Sequence, residues 1–419
     1  MNDFVVSIPL FDSDIAVLMY HLEYRSGDRM LGLQNDYQRM NDALKAPGLE
    51  LVERFGIEVF AADKPLLVEA TKFQILAGLP QDMNIDPHKL TFLISEDITN
   101  DPDVINKCAE LKSQGYSFAL SEYPLNSANP IIPYLDYILL DAQDPDYNKK
   151  NTGLMRSYKS VKPIIMNIPD RQSFKTLKSR PKAIFGGEFY NQPITEGSVV
   201  LSPLKINVLH LLYQVNHEDF NLSDIVRIIE RDPYLTISLL KFINSRASGL
   251  SKKVESIKNA VAILGQKEVR RWATVALSVS LAEDRPSEIT KLSLTRAKLA
   301  ENLAGYFELG TFQSALFLTG LFSMLDIILQ QPMETAIKEV SVNEHVARAL
   351  VDHSGQLYPV LELIYAYERA DWDKTSILMI KNNISIDDLS NAFVDAMVWY
   401  KQLLESIDDD SLLPEKTPV

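Results

Sequence analysis

The sequence predicts an α/β half followed by an all-helical half. Three observations carry this division. Up to about residue 187, short apolar runs alternate with helix-compatible segments. Beyond Pro203 the apolar residues recur at helical spacing. Between the two, Pro193, Gly197 and Pro203 punctuate the change of period. The expected domains are residues 1–197, residues 198–407 and an acidic, proline-containing tail at 408–419, which is expected to be disordered. With 419 residues, 46% of them hydrophobic, each half can bury a core of its own.

In the first half, residues 4–10 and 16–24 read as two strands joined by a turn at residues 12–14, with a third strand at 65–69. The apolar runs at 90–95, 116–120, 137–140, 163–168 and 183–185 follow, and residues 102–114, 147–158 and 170–178 between them suit helices. Strands buried on both faces read as continuous apolar runs, and a helix between neighbours implies parallel pairing. Such repeated units give either an open doubly wound sheet or a closed barrel. About 200 residues is short for a full eight-fold barrel, which takes about 250, so a barrel lacking some helices fits the length.

The second half is helical throughout. Ser223 is placed to cap a helix carrying Ile225, Val226, Ile228 and Ile229, and Asp232-Pro233 puts a capping carboxylate before a proline at the first helical position. Leu235, Leu239, Leu240 and Ile243 share one face. Ser256 starts a helix lined by Val261 and Leu264, and Gly265 is expected to end it. Further helices are expected at 287–308, 312–330, 343–352, 357–369 and 385–405. Ser385 caps the last, with Asp387 and Asp388 in its positive first turn.

Composition excludes several function classes. The net charge of −14 opposes direct nucleic-acid binding, which relies on a basic field. One basic stretch, Lys252, Lys253, Lys258, Lys267, Arg270 and Arg271, reads first as a solvated helix face and second as a partner-docking surface. Cys108 is the sole cysteine, so an intrachain disulfide and thiolate-rich zinc sites are impossible, and it reads as a core thiol. The apolar stretch at 315–325 is shorter than the roughly 20 residues that span a bilayer. A soluble, cytoplasmic protein without membrane insertion is therefore expected.

Three stretches of the helical half resemble the bacterial HDOD family, a relative of the HD metal phosphohydrolases. They are Asp232-Pro233-Tyr234-Leu235 continuing to Asn244-Ser245, then Ser256-Ile257 through Leu264-Gly265, then Arg270-Arg271-Trp272. The first half resembles the scaffold of the EAL family, whose members are TIM-barrel-like cyclic di-GMP phosphodiesterases. Tyr20-His21-Leu22-Glu23 looks like the strand of the Glu-Ala-Leu signature, and residues 64–69 like the strand that ends in a metal-binding asparagine. Residues 93–96, 119–123 and 136–141 fall on the next three motifs, and residues 187–193 resemble the closing segment. The resemblance covers nearly the whole chain and implies a degenerate EAL-like barrel followed by an HDOD domain.

Catalysis in the EAL family resembles two-metal chemistry, in which paired divalent ions activate water and neutralise phosphoryl charge. Such hard cations need several converging oxygens. By that resemblance the signature glutamate is His21 here, the asparagine is Glu69, the first glutamate of the next motif is Leu93, the aspartate pair is Ser121-Glu122 and the lysine is Leu139. Glu96 and Asp141 persist. His21 is expected to be hydrogen-bonded rather than metal-binding, and the acids to be solvated or salt-bridged. No histidine is followed by aspartate, so the HD metal pair is absent, and His217-Glu218-Asp219 reads as solvent-facing. No catalytic residue, metal or cofactor is expected.

The leading expectation is a non-enzymatic signalling regulator that docks unidentified signalling proteins on its helical half. Asp232, Pro233, Asn244, Ser245, Gly265, Arg270, Arg271 and Trp272 are its motif positions, structural or interactive. A receptor that holds cyclic di-GMP without cutting it is the second expectation, and a residual metal-dependent phosphodiesterase the third.

Overall fold

The computed structural model describes residues 3–26, 47–78, 85–122, 129–157, 160–193, 221–231, 256–281, 287–340 and 342–407, with residues 208, 209, 212, 215, 239, 243 and 254. Asp232, Pro233, Asn244, Ser245, Lys252, Lys253, the stretch 217–219 and the tail at 408–419 lie outside the described residues. Two compact units result. One comprises Met1–Gln192 and Leu363–Phe393, the other Pro193–Glu362 and Val394–Val419. Leu363–Phe393, within the expected helical domain at 198–407, groups with the barrel residues.

Eight strands close into a barrel in chain order. They are β1 (Asp3–Phe11), β2 (Val17–Ser26), β3 (Leu66–Glu69), β4 (Leu90–Ile94), β5 (Ser117–Leu120), β6 (Tyr137–Asp141), β7 (Lys162–Ile168) and β8 (Ile184–Gly187). Of the two architectures left open by the sequence, the closed barrel is the one formed. β1 runs antiparallel to β2, β2 to β8 are parallel neighbours, and Phe11 pairs with Phe185 to join β1 to β8. The first hairpin forms because Asp12 Oδ1 accepts the backbone N–H groups of Asp14 (2.8 Å) and Ala16 (2.9 Å).

Helices fill the crossovers: α1 (Pro47–Phe55), α2 (Ile57–Ala61), α3 (Lys72–Ala77), α4 (Pro102–Ser113), α5 (Tyr147–Ser157) and α6 (Arg171–Leu177). The first three escaped the periodicity reading. α3 is short but firmly started, since Thr71 Oγ1 accepts the Gln74 N–H (3.3 Å) while Gln74 Oε1 accepts the Thr71 N–H (3.0 Å). Asp101 caps α4 ahead of Pro102, and Cys108 lies buried on that helix, its thiol pushed up to about 12 by burial. The lumen is packed by Leu10, Met19, Leu67, Leu93, Ala119, Ile164 and Ile184, with Tyr137, Leu139 and Met166 against them.

The second half contributes α7 (Leu222–Arg231), α8 (Ile257–Leu281), α9 (Ser287–Leu303), α10 (Gln313–Phe322), α11 (Leu325–Leu329), α12 (Met333–Val340), α13 (Glu344–Val351), α14 (Tyr358–Glu368), α15 (Trp372–Lys381) and α16 (Ile386–Ile407). One expectation needs correction. Asn221 and not Ser223 caps α7: its Oδ1 accepts the Ser223 N–H at 2.9 Å. Gly265 ends the helix begun at Ser256 as expected: with φ 74° and ψ 168° it is non-helical, and a second helix follows it directly, so that α8 is two helices joined at a kink. Ser256 and Ser385 do cap, accepting the N–H groups of Asn259 (3.2 Å) and Asp388 (3.1 Å). α9 and α10 meet backbone to backbone, because a Cβ on Gly320 would lie 2.5 Å from Ala297 N and Arg296 O.

Leu363–Phe393 completes the barrel unit at β1. The buried Tyr367 hydroxyl donates to Val5 O (2.5 Å) and accepts the Val5 N–H (3.2 Å). Phe4 stacks on Trp372 at 5.3 Å, and Arg369 Nε lies 3.6 Å from Glu188 Oε1 just after β8. In an antiparallel strand the N–H and C=O of one residue point to the same side. Tyr367 thus satisfies backbone groups of β1 that face away from β2.

Candidate functional site at the barrel rim

Side chains two apart on a strand share a face. Met19, Leu67, Leu93, Ala119 and Leu139 belong to the lumen packing. Their partners along the same faces are His21, Glu69, Ser121 and Asp141. Six of the eight positions singled out in the sequence therefore lie on the lumen-facing stripe of β2 to β6 or just past its end. Cα register supports this placement: His21 pairs with Leu67, Glu69 with Leu93, Leu93 with Ala119, and Ala119 with Tyr137. The other two positions lie off the stripe, Glu96 in a single 3₁₀ turn after β4 and Glu122 one residue beyond Ser121.

Chemically the stripe is uneven. Leu93 is buried and Leu139 half-buried, both in the apolar lumen packing. His21 is buried, 8% exposed, and its Nδ1 has no hydrogen-bond partner among the described residues. The expected hydrogen bond is therefore not made at Nδ1. Its neighbours across the sheet are Ile8 and Leu67, which offer no acceptor or donor from their side chains. Burial lowers the imidazole to about 4, so it is neutral near pH 7.

Most of the acids reach solvent. Glu69, Glu122 and Asp141 are exposed and Glu96 half-buried. Asp141 is engaged by its own rim: Oδ1 accepts the Gln143 N–H (2.8 Å) and Oδ2 accepts Asn167 Nδ2 (2.9 Å). Gln143 Nε2 in turn donates to Asn167 O at 3.0 Å. Asn167 reaches Asp141 through an irregularity of β7. Its φ is 59°, a left-handed conformation that asparagine tolerates better than most residues, and the β7–β8 register shifts between Ile165 and Ile168. Gly187 permits that shift, since a Cβ there would lie 2.3 Å from Ile168 O. Sequence reasoning missed Gln143 and Asn167, because no apolar period marks a bulge. Among the described residues no group of three or more His, Cys, Asp or Glu side chains is placed to hold a metal ion.

Of the described motif residues of the helical unit, Gly265, Arg270 and Arg271 are half-buried. Trp272 is buried. Arg271 makes a bidentate pair with Glu301 (2.8 and 3.0 Å) and lies over the rings of Phe317 (4.2 Å) and Trp399 (5.9 Å). Arg270 is half-buried, which lowers its pKa through desolvation. Lys258 and Lys267 are exposed on α8. Glu301, Phe317 and Trp399 carried no signal that would have paired them with Arg271.

Residues 201–354 match the HDOD domain family. The helical half carries an HDOD domain. Before it stands a closed eight-stranded barrel, and the positions that resemble the EAL motifs fall on or just past its strands β2 to β6 in chain order. Over 97% of its length the chain is 29% identical to all of YuxH from Bacillus subtilis. It is 22% identical over 96% of its length to 93% of CdgJ from Vibrio cholerae, named a cyclic di-GMP phosphodiesterase. Among solved structures it is similar to the calcium and cyclic di-GMP complex of BlrP1 from Klebsiella pneumoniae, with 13% identity and a TM-score of 0.37 over 46% of this chain and 56% of that one. The cyclic di-GMP complex of the PaMucR phosphodiesterase gives 12% identity and a TM-score of 0.38 over 46% and 97%. The chain thus spans little more than half of BlrP1. Among the described residues, no helix is long and apolar enough to cross a membrane.

Proposed function

We propose that this chain is a non-catalytic regulator in cyclic di-GMP signalling, with the barrel as scaffold and the HDOD domain as the surface that docks another signalling protein. The observation that carries the reading is the packing of Leu93 and Leu139 into the apolar lumen, beside a neutral buried His21. A pair of divalent cations needs several hard oxygen donors at one point. Here two positions of the stripe supply no oxygen, one supplies an uncharged imidazole, and Asp141 already accepts two hydrogen bonds. The donor set does not fit the metals of the EAL family, and no hydrolytic step is derived through them.

Hydrolysis is the test. The purified full chain, incubated with cyclic di-GMP and either magnesium or manganese, is expected to release no linear dinucleotide. Turnover that disappears when Glu96 and Asp141 are both changed to alanine would refute the reading. The name of the CdgJ relative favours a second reading, retained interaction with the same dinucleotide. Calorimetry in chelator separates binding from cutting: heat without turnover marks a receptor. Docking on the HDOD domain is tested by Lys258→Glu with Lys267→Glu, which is expected to weaken capture of partners by the full chain.

A further inference from the structure

The two most exposed large apolar side chains among the described residues are neighbours on α15. Ile377 is 67% and Ile380 73% exposed. The opposite face of this helix turns inward through Trp372, Thr375, Leu378 and Met379. Outward, Asp373, Ile377 and Lys381 follow at intervals of four, with Ile380 beside them. The helix dipole accounts for an acid in the first turn and a base in the last. It does not account for two isoleucines held in water between them on a rigid element. Single exposed apolar residues are ordinary, whereas adjacent ones rimmed by charge mark contact surfaces.

We propose that this face joins two copies of the chain, α15 lying antiparallel on α15. The charge order is self-complementary. Turned end for end, Asp373 of one copy lies beside Lys381 of the other, and Ile377 meets Ile377 at the two-fold axis. That is the isologous contact expected of a symmetric dimer. A row at intervals of four is also the ridge that interdigitates in the commonest helix crossing. A different protein would need a matching order of base, apolar residue and acid, which a second copy supplies by construction through Lys381, Ile377 and Asp373. One pair of ten-residue helices buries less than the roughly 1,000 Å² of a stable interface, so the association is weak and depends on concentration.

Sedimentation velocity of the full chain between about 5 and about 500 µM tests this. The wild type is expected to shift from monomer to dimer across that range. Ile377→Glu with Ile380→Glu should stay monomeric, and Asp373→Lys should weaken association by about tenfold or more. Adding Lys381→Asp to Asp373→Lys should restore it, and far-UV circular dichroism confirms that each variant is folded. A wild type that stays monomeric throughout overturns the proposal. So does a dimer that survives the two glutamates, or a charge swap that fails to restore association.

Discussion

Acidification should weaken the barrel through one residue, His21. In the unfolded chain this imidazole titrates near 6.5, while burial lowers it to about 4 in the fold. Between those values the unfolded chain takes up a proton that the native barrel refuses. The contribution of His21 is therefore complete above pH 6.5, is lost as pH falls toward 4, and changes no further below that. A difference of about 2.5 pKa units corresponds to about 3 kcal/mol in full, of which about 2 kcal/mol is lost between pH 7 and pH 5. That window lies above the range in which ordinary carboxylates titrate. Urea unfolding can be followed through Trp372, which stacks on Phe4 in the barrel unit, after Trp272 and Trp399 are changed to phenylalanine. In His21→Leu the loss between pH 7 and pH 5 should vanish. Equal losses in the two proteins would refute the reasoning, because the acid-sensitive group would then lie elsewhere.

Three further perturbations have defined readouts. Tyr367→Phe keeps the aromatic packing but leaves Val5 N–H and C=O without their partner; it should cost about 1–3 kcal/mol and speed amide exchange at Val5 while β4 stays protected. Gly320→Ala forces α9 and α10 apart, since its Cβ would stand 2.5 Å from Arg296 O; a loss of about 1–3 kcal/mol should appear in thermal unfolding. Arg271→Lys cannot reproduce the bidentate pair with Glu301 or the flat contact with Phe317; a loss of about 1–2 kcal/mol is expected from urea unfolding of the HDOD unit.

Much of the barrel was legible because its strands announce themselves. β4 is buried at all five positions and reads as an unbroken apolar run, and the Asp12 turn stands between two such runs. Closure was not legible, since one pair, Phe11 with Phe185, joins β1 to β8 and no local pattern encodes it. The role of Tyr367 was hidden for the same reason: its partner lies 362 residues away. Gly265 was legible as a helix end because glycine readily takes the non-helical φ of 74° that divides α8 in two. At the rim, the identity of each stripe residue came from the sequence, but the capture of Asp141 by Asn167 depends on a bulge.

The rim also has an energetic logic. Acids converging on a lumen repel one another and lose hydration, and bound cations normally offset that cost. With an apolar side chain at the same place the balance reverses, since burying a leucine contributes about 1.5–3 kcal/mol. Leu93 and Leu139 join the packing of Leu67 and Ile164, while Glu69 and Glu122 are exposed and Asp141 accepts the Asn167 amide. His21 fits the same scheme as a neutral ring that fills space at pH 7 and becomes unfavourable only when protonated. A rim built this way is stable without any ion. A carboxylate introduced at Leu93 alone would place a charge in the apolar packing, where neither Leu67 nor Ile164 offers it a partner.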